Sequence, residues 1–275
     1  MNLLLQRNWH LSARLDGKEL ISDATYCGTD RELTARLNVE PASLRISKAV
    51  WEVYRAPGFD GPRACEIPQI RGVEAYFGCG SEIRNGLAFL NDLFAEELFM
   101  EAVRAVIQAE TFLYKERGFS AAEEFEKYWT DNFKNSCRYY SNLDQVSRDW
   151  YEHVGYDKRY GNLFNRTKTQ ILFKDNISYT LAGYFNDSFH GLAVELALSE
   201  SGMVENAGGK ILRAPDSICK EAPVYLNNII GKKLTLLSKK DIVSLLGNSQ
   251  GCIHLIDLVT GGAETFRLFV RELRN

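Results

Sequence analysis

No stretch of this sequence approaches the ~20 consecutive apolar residues that a membrane-spanning helix needs, and no membrane partner is expected. The opening Met1-Asn-Leu-Leu-Leu5-Gln-Arg7 holds too short an apolar run for a secretory signal, so the expected location is the cytoplasm. Cysteine is sparse: six among 275 residues, at 27, 65, 79, 137, 219 and 252, are too few for a disulfide scaffold of this length. In a reducing compartment they would be thiols, metal ligands or core filler. Neither sign of charge is in excess, with 33 basic against 36 acidic residues and a net charge of −3, so nucleic acid is not an expected partner. Also missing are a Gly-rich phosphate loop followed by Lys, Gly-x-Ser-x-Gly, His-Glu-x-x-His and any tight Cys-x-x-Cys.

What is there is a repeat. Arg55-Ala56-Pro57 recurs as Arg213-Ala214-Pro215, an offset of 158. At that offset Ala24 meets Ala182, Tyr26 meets Tyr184, Ile46 meets Val204 and Ala49 meets Ala207. A one-residue slip sets Ala35, Leu37 and Val39 against Val194, Leu196 and Leu198. Gly72-Val-Glu then matches Gly231-Lys-Lys, and Gly86-Leu-Ala-Phe-Leu90-Asn-Asp92-Leu93 matches Gly251-Cys-Ile-His-Leu255-Ile-Asp257-Leu258, at an offset grown to 165. The common order of these matches is the signature of an internal duplication.

Each copy has one plan. Residues 9–15, 19–26, 32–39 and 44–54 read as strands, with Asp16-Gly17 and Gly28-Thr-Asp30 as hairpin signals. The second set falls near 168–174, 177–185, 191–198 and 203–212, and both copies turn helical after the Arg-Ala-Pro. The predicted fold class is α+β: two tandem copies of an antiparallel meander with helices on one face, separated by a helical insert. The predicted domains are 1–117, 118–160 and 161–275. The first ends in one long amphipathic helix from Gly86 to Arg117, stopped by Gly118, and Ser120-Ala-Ala-Glu123 opens a second helix running to about Tyr140. A short helix over 143–153 and a linker over 155–161 complete the insert.

Candidate chemistry gathers in the second copy. Cys252-Ile-His254 and Cys219 both stand at expected helix starts, where exposed N–H groups and the dipole lower a thiol's pKa. Cys252 and His254 are two residues apart, about 200° around a helix, so they converge only if Cys252 is at the cap. The loop Asn186-Asp187-Ser-Phe-His190 adds a carboxylate and an imidazole. Asp187, His190, Cys219, Cys252 and His254 therefore form a mixed pool for zinc or iron. The plainer alternative is a pair of small buried cysteines with a hydrogen-bonded histidine. The first copy lacks the pair, with Leu87 and Phe89 in place of Cys252 and His254, and Cys27-Gly28-Thr29-Asp30 in the equivalent loop. His10 and His153 stand alone and read as structural.

Residues 168–262, with a strand-rich start, a cysteine before a helix and the closing Gly251-Cys252-Ile253-His254-Leu255, resemble the bacterial family of unknown function DUF 2889. That resemblance implies no activity. A more distant likeness is to the NifU/IscU-type iron–sulfur scaffold, a three-stranded antiparallel sheet with helices on one face. Cys219 with Gly231-Lys-Lys-Leu234 is similar to its second ligand element and Cys252 to its third, although His254 follows the Cys instead of preceding it. The loop cysteine is replaced by Phe185-Asn-Asp187, and Cys27-Gly28-Thr29-Asp30 resembles that loop in the other copy.

Three functional readings follow. One is a non-catalytic, duplicated scaffold-like module that holds a metal or an acceptor protein. The second is a sulfur-transfer enzyme with Cys252 as nucleophile and His254 or His190 as base. The third is a structural protein whose 86–117 helix mediates dimerisation or docking. The weight falls on the non-catalytic side.

Overall fold

The computed structural model describes residues 1–58, 61, 63–155, 157 and 159–272, with residue 272 described by its backbone alone. The strands are β1 (Asn2–Asp16), β2 (Glu19–Gly28), β3 (Glu32–Val39), β4 (Ile46–Arg55), β5 (Arg63–Glu66), β6 (Asn162–Asp175), β7 (Ser178–Asp187), β8 (Gly191–Ser199) and β9 (Val204–Arg213). The α-helices are α1 (Gly80–Leu87), α2 (Leu93–Ala109), α3 (Ala122–Phe133), α4 (Arg138–Ser141), α5 (Trp150–Val154), α6 (Lys239–Leu245) and α7 (Ile253–Glu272). The class is α+β with antiparallel pairing, β2–β3–β4–β5 and β7–β8–β9 all running alternately. No described helix is long and apolar enough to cross a membrane.

The chain forms two compact units. Unit A is Trp9–Phe125 with Asp157–Thr167; unit B is Met1–Asn8, Glu126–Tyr156 and Lys168–Asn275. These do not follow the predicted cuts at 117 and 160, because β1 and β6 each give one half to each unit. The hydrogen-bonded strand order is β5-β4-β3-β2-β1-β6 in unit A and β1-β6-β7-β8-β9 in unit B. Unit B therefore has five strands in its order, where the iron–sulfur scaffold likeness implied three.

In unit A, alternate residues of β3 (Leu33, Ala35, Leu37, Val39) are buried, and α2 lies across β2 and β3. The buried face of α2 includes Leu98, Phe99, Ala102, Val103 and Val106. Each large side chain there contributes about 1.5–3 kcal/mol relative to exposure, so packing holds the helix more than propensity does. Ser22 Oγ donates to Ala102 O at 2.8 Å across this contact. The single helix expected over 86–117 is broken. Asn91 adopts a left-handed conformation, φ 49°, and Asp92 caps α2 by accepting from Phe94 N at 2.9 Å. The apolar spacing was helical on both sides of the break, which hid it.

In unit B, α7 lies across β7 and β8 with Leu255, Leu258, Val259, Ala263 and Phe266 buried. Gly262 permits the approach, since a Cβ there would meet Leu181 Cδ2 at 2.5 Å. Of the helical insert expected over 118–160, Glu126–Tyr156 belongs to this unit. Arg138 Nε donates to Ile218 O at 3.0 Å, and Arg148 donates to the carbonyls of Ala214 and Pro215. Ser147 donates to Asp216 through both N and Oγ. Burial alone would raise the Asp216 carboxyl. The N–H and O–H groups of Ile218, Ser147 and Ser217 outweigh it and hold Asp216 at about 2. Trp129 donates to Tyr140 Oη at 2.9 Å and stacks on Trp150, whose ring meets Phe189 edge-on at 4.9 Å. The expected helix to Tyr140 is two pieces, α3 and α4, and the run after Pro215 is a 3-10 segment over Ser217–Ile229 with Pro223 inside it. Of the linker expected over 155–161, residues 156 and 158 lie outside the described residues.

The same connections recur in the two units. In unit A, Gly72 N donates to Ile46 O, Ile46 N to Val73 O and Ala75 N to Leu44 O. In unit B, Gly231 N donates to Val204 O, Val204 N to Lys232 O and Leu234 N to Gly202 O. Leu44 and Gly202 both have positive φ, as do Gly72 and Gly231. The β3–β4 register shifts at 32/33 and 38/39; the β8–β9 register shifts at 191/192 and 197/198.

Candidate metal centre

The site is built on the β7–β8 hairpin and the first turn of α7. Asp187 ends β7, and its N donates to His190 O at 2.9 Å to close the loop. Its Oδ1 accepts from Phe189 N at 2.8 Å and His190 N at 2.6 Å, and lies 3.1 Å from His190 Nδ1. This is an Asx turn, the local conformation that an Asp two residues before a chain reversal favours. It buries the carboxylate while aiming the His190 ring back along it.

Arg213 grips the outside of the loop. Its guanidinium donates to the carbonyls of Ser188 (2.7 Å), Asp187 and His190 (3.0 Å), and to Asn186 Oδ1 (2.9 Å). Arg55 does the same in unit A, donating to Thr29 O at 3.2 Å and Gly28 O at 2.8 Å. The repeated Arg-Ala-Pro thus carries a hairpin clamp in both units. His153, read from sequence as an isolated structural residue, reaches the loop too, with Nε2 2.8 Å from Phe189 O. Burial lowers the His153 pKa, keeping that ring neutral.

His254 arrives from α7. Gly251 sets up the approach, because a Cβ there would stand 1.9 Å from Leu246 O, and its carbonyl accepts from Arg138 N at 2.8 Å. The His254 ring lies 4.1 Å from the His190 ring and 4.6 Å from the Phe185 ring. One ligand atom each from Asp187, His190 and His254 all lie within 4.8 Å of one another. Nitrogen and oxygen donors around a zinc ion at ~2.1 Å stand ~3–4 Å apart, close to the spacing found here. Two modes are open to it. All three side chains can ligate, or Asp187 can hold His190 Nδ1–H and leave two imidazole nitrogens for the ion. One turn along α7, Asp257 pairs with the buried Lys168 at 3.3 Å.

Cys219 and Cys252 do not join this group. They share a neighbourhood of unit B with Cys137, which the sequence did not single out: ionisation of Cys137 would raise the pKa of both, and ionisation of Cys219 that of Cys252. Burial pushes the Cys252 thiol up to about 12, against the lowering effect of the Leu255 and His254 backbone N–H groups. Burial likewise pushes Cys219 up to about 11. The expected lowering by a helix start is present at Cys252 and is outweighed by desolvation. Both thiols are protonated at neutral pH.

The helix that crosses β2 and β3 is α2, and Asp92 and Phe94 stand at its start as Cys252 and His254 stand at the start of α7. Tyr26 packs on Phe94 at 5.1 Å as Phe185 packs on His254. At the station of His190 stands Arg31, whose guanidinium lies 4.3 Å over the Phe94 ring.

Residues 172–267 match the family model described as a protein of unknown function, DUF2889. The matched span contains Asp187, His190 and His254. Comparison with curated proteins and comparison with solved structures each found no match, so the iron–sulfur scaffold likeness has no neighbour to support it.

Proposed function

We propose that this protein is a non-catalytic metal-binding module whose unit B holds one divalent ion, zinc or iron, on Asp187, His190 and His254. The observation that carries the reading is the convergence of two imidazoles and a carboxylate from segments more than sixty residues apart in sequence, with ligand atoms within 4.8 Å. Two imidazoles with one carboxylate suit zinc or iron better than calcium or magnesium, which prefer all-oxygen sets. The high thiol pKa values of Cys219 and Cys252 speak against the sulfur-transfer alternative, which needs a thiolate. The recurring backbone connections and the paired Arg clamps support a common origin for the two meanders, with ligands present in only one.

Calorimetric titration with Zn(II), together with metal analysis of protein purified without chelator, tests the reading. One equivalent should bind. His254→Ala and His190→Ala should each weaken binding by about 10–100-fold or more, and Cys219→Ser and Cys252→Ser should leave it unchanged. Absence of binding by Zn(II) and Fe(II), or binding indifferent to His254→Ala, would defeat it.

A further inference from the structure

The unit A counterpart of the site carries a cation of its own. Arg31 comes from the β2–β3 hairpin and its guanidinium rests 4.3 Å over Phe94, in the first turn of α2. It is held there by Asp30, whose Oδ2 accepts from Arg31 Nε at 2.7 Å and whose Oδ1 accepts from Tyr26 Oη at 2.9 Å. Tyr26 itself packs on Phe94. Hairpin and helix start are thus joined by a permanent positive charge against an aromatic face, a favourable pairing.

Unit B has the same hairpin, the same Arg clamp and the same helix placement, but Arg31 and Phe94 give way to His190 and His254. Two imidazoles 4.1 Å apart join well when both donate lone pairs to one ion, and repel when both carry protons. The nearby carboxylate of Asp187 matches a positive centre between hairpin and helix.

We propose that the ion at Asp187, His190 and His254 is a structural staple tying the β7–β8 hairpin to the first turn of α7, as Arg31 ties the β2–β3 hairpin to α2. The role rests on the metal-binding reading above. The ion would supply a cross-link between hairpin and helix.

Hydrogen–deuterium exchange of the full chain, with Zn(II) at about 100 times its Kd and then with excess chelator, reads the staple directly. Zinc should slow exchange at Phe189, His190 and Ile256–Val259 by up to about 100-fold, the limit set by mass action. Amides 31–33 and 97–100 of unit A should not respond. The triple substitution Asp187→Gly, His190→Arg, His254→Phe installs the unit A residues, and should give metal-independent protection over the same α7 segment. Wild-type protein that binds zinc by calorimetry without any change at Ile256–Val259 overturns the staple and leaves metal binding standing. Wild-type protein that binds no zinc overturns both. If the triple variant does not fold, the wild-type comparison with and without zinc still decides.

Discussion

A helix N-terminus is an activating place for a thiol only while the thiol stays hydrated. Cys252 shows the limit: two backbone N–H groups favour its thiolate, and burial costs more than they return. At pH 8, a thiol with a pKa of about 12 has only ~1 in 10,000 molecules ionised. Iodoacetamide at pH 8 should therefore modify the exposed Cys27 first and leave Cys252 unmodified until the protein is unfolded, as peptide mass mapping would show. Modification of Cys252 in the folded protein at a rate equal to Cys27 would refute the burial argument. The sign of the linked stability follows. The folded thiol holds its proton more tightly than the unfolded one, whose ordinary value is 9.0. Stability is thus intact below pH 9 and falls as pH rises from about 9 towards 12.

At the scale of elements, the hairpin is the unit of design. Asp187 and His190 are placed by an Asx turn, and the turn is clamped by Arg213 from β9. Arg55 clamps the equivalent turn where no ligands stand. The two arginines therefore separate a structural cost from a functional one. Arg213→Ala and Arg55→Ala should each destabilise by about 1.5–3 kcal/mol in urea unfolding, the range for hydrogen bonds to a charged group. Only Arg213→Ala should weaken Zn(II) binding, by about 10–100-fold, as loss of a group that orients ligands does. Equal zinc affinity in the two variants would remove Arg213 from the site. Helices were harder to read than hairpins. The apolar spacing from Gly86 onward continues through Asn91, and only the left-handed backbone there ends one helix and lets Asp92 start another. The 3-10 segment around Pro223 has no distinctive residue pattern that separates it from an α-helix with an early proline.

For the molecule as a whole, the segment between the two meanders is not a spacer. Arg138, Ser147, Arg148 and Trp150 hold the 3-10 segment, the Ala214–Pro215 carbonyls and Phe189 from within unit B. From β1, Arg7 donates to Thr265 at 3.2 Å, and Asn8 accepts from Thr169 at 3.1 Å. A fragment beginning at residue 161 loses all of these partners and leaves Asp216 and Phe189 uncovered. Circular dichroism in urea should show a cooperative transition for the full chain and none for residues 161–275. A cooperative transition in the fragment would mean that the second meander carries its own core.

Alternation, turn residues and the twice-written Arg-Ala-Pro were enough to draw the hairpin strands β2–β3 and β7–β8, because hairpins and Asx turns depend on neighbours close in sequence; the early start of β1 and β6, their pairing and the short β5 were not legible there. Which of the five candidate ligands meet was decided by how α7 lies on β7 and β8. That packing brings His254 onto His190, while desolvation keeps the Cys252 and Cys219 thiols protonated. Distance through space and loss of hydration have no local spelling, and both emerge only when the core closes.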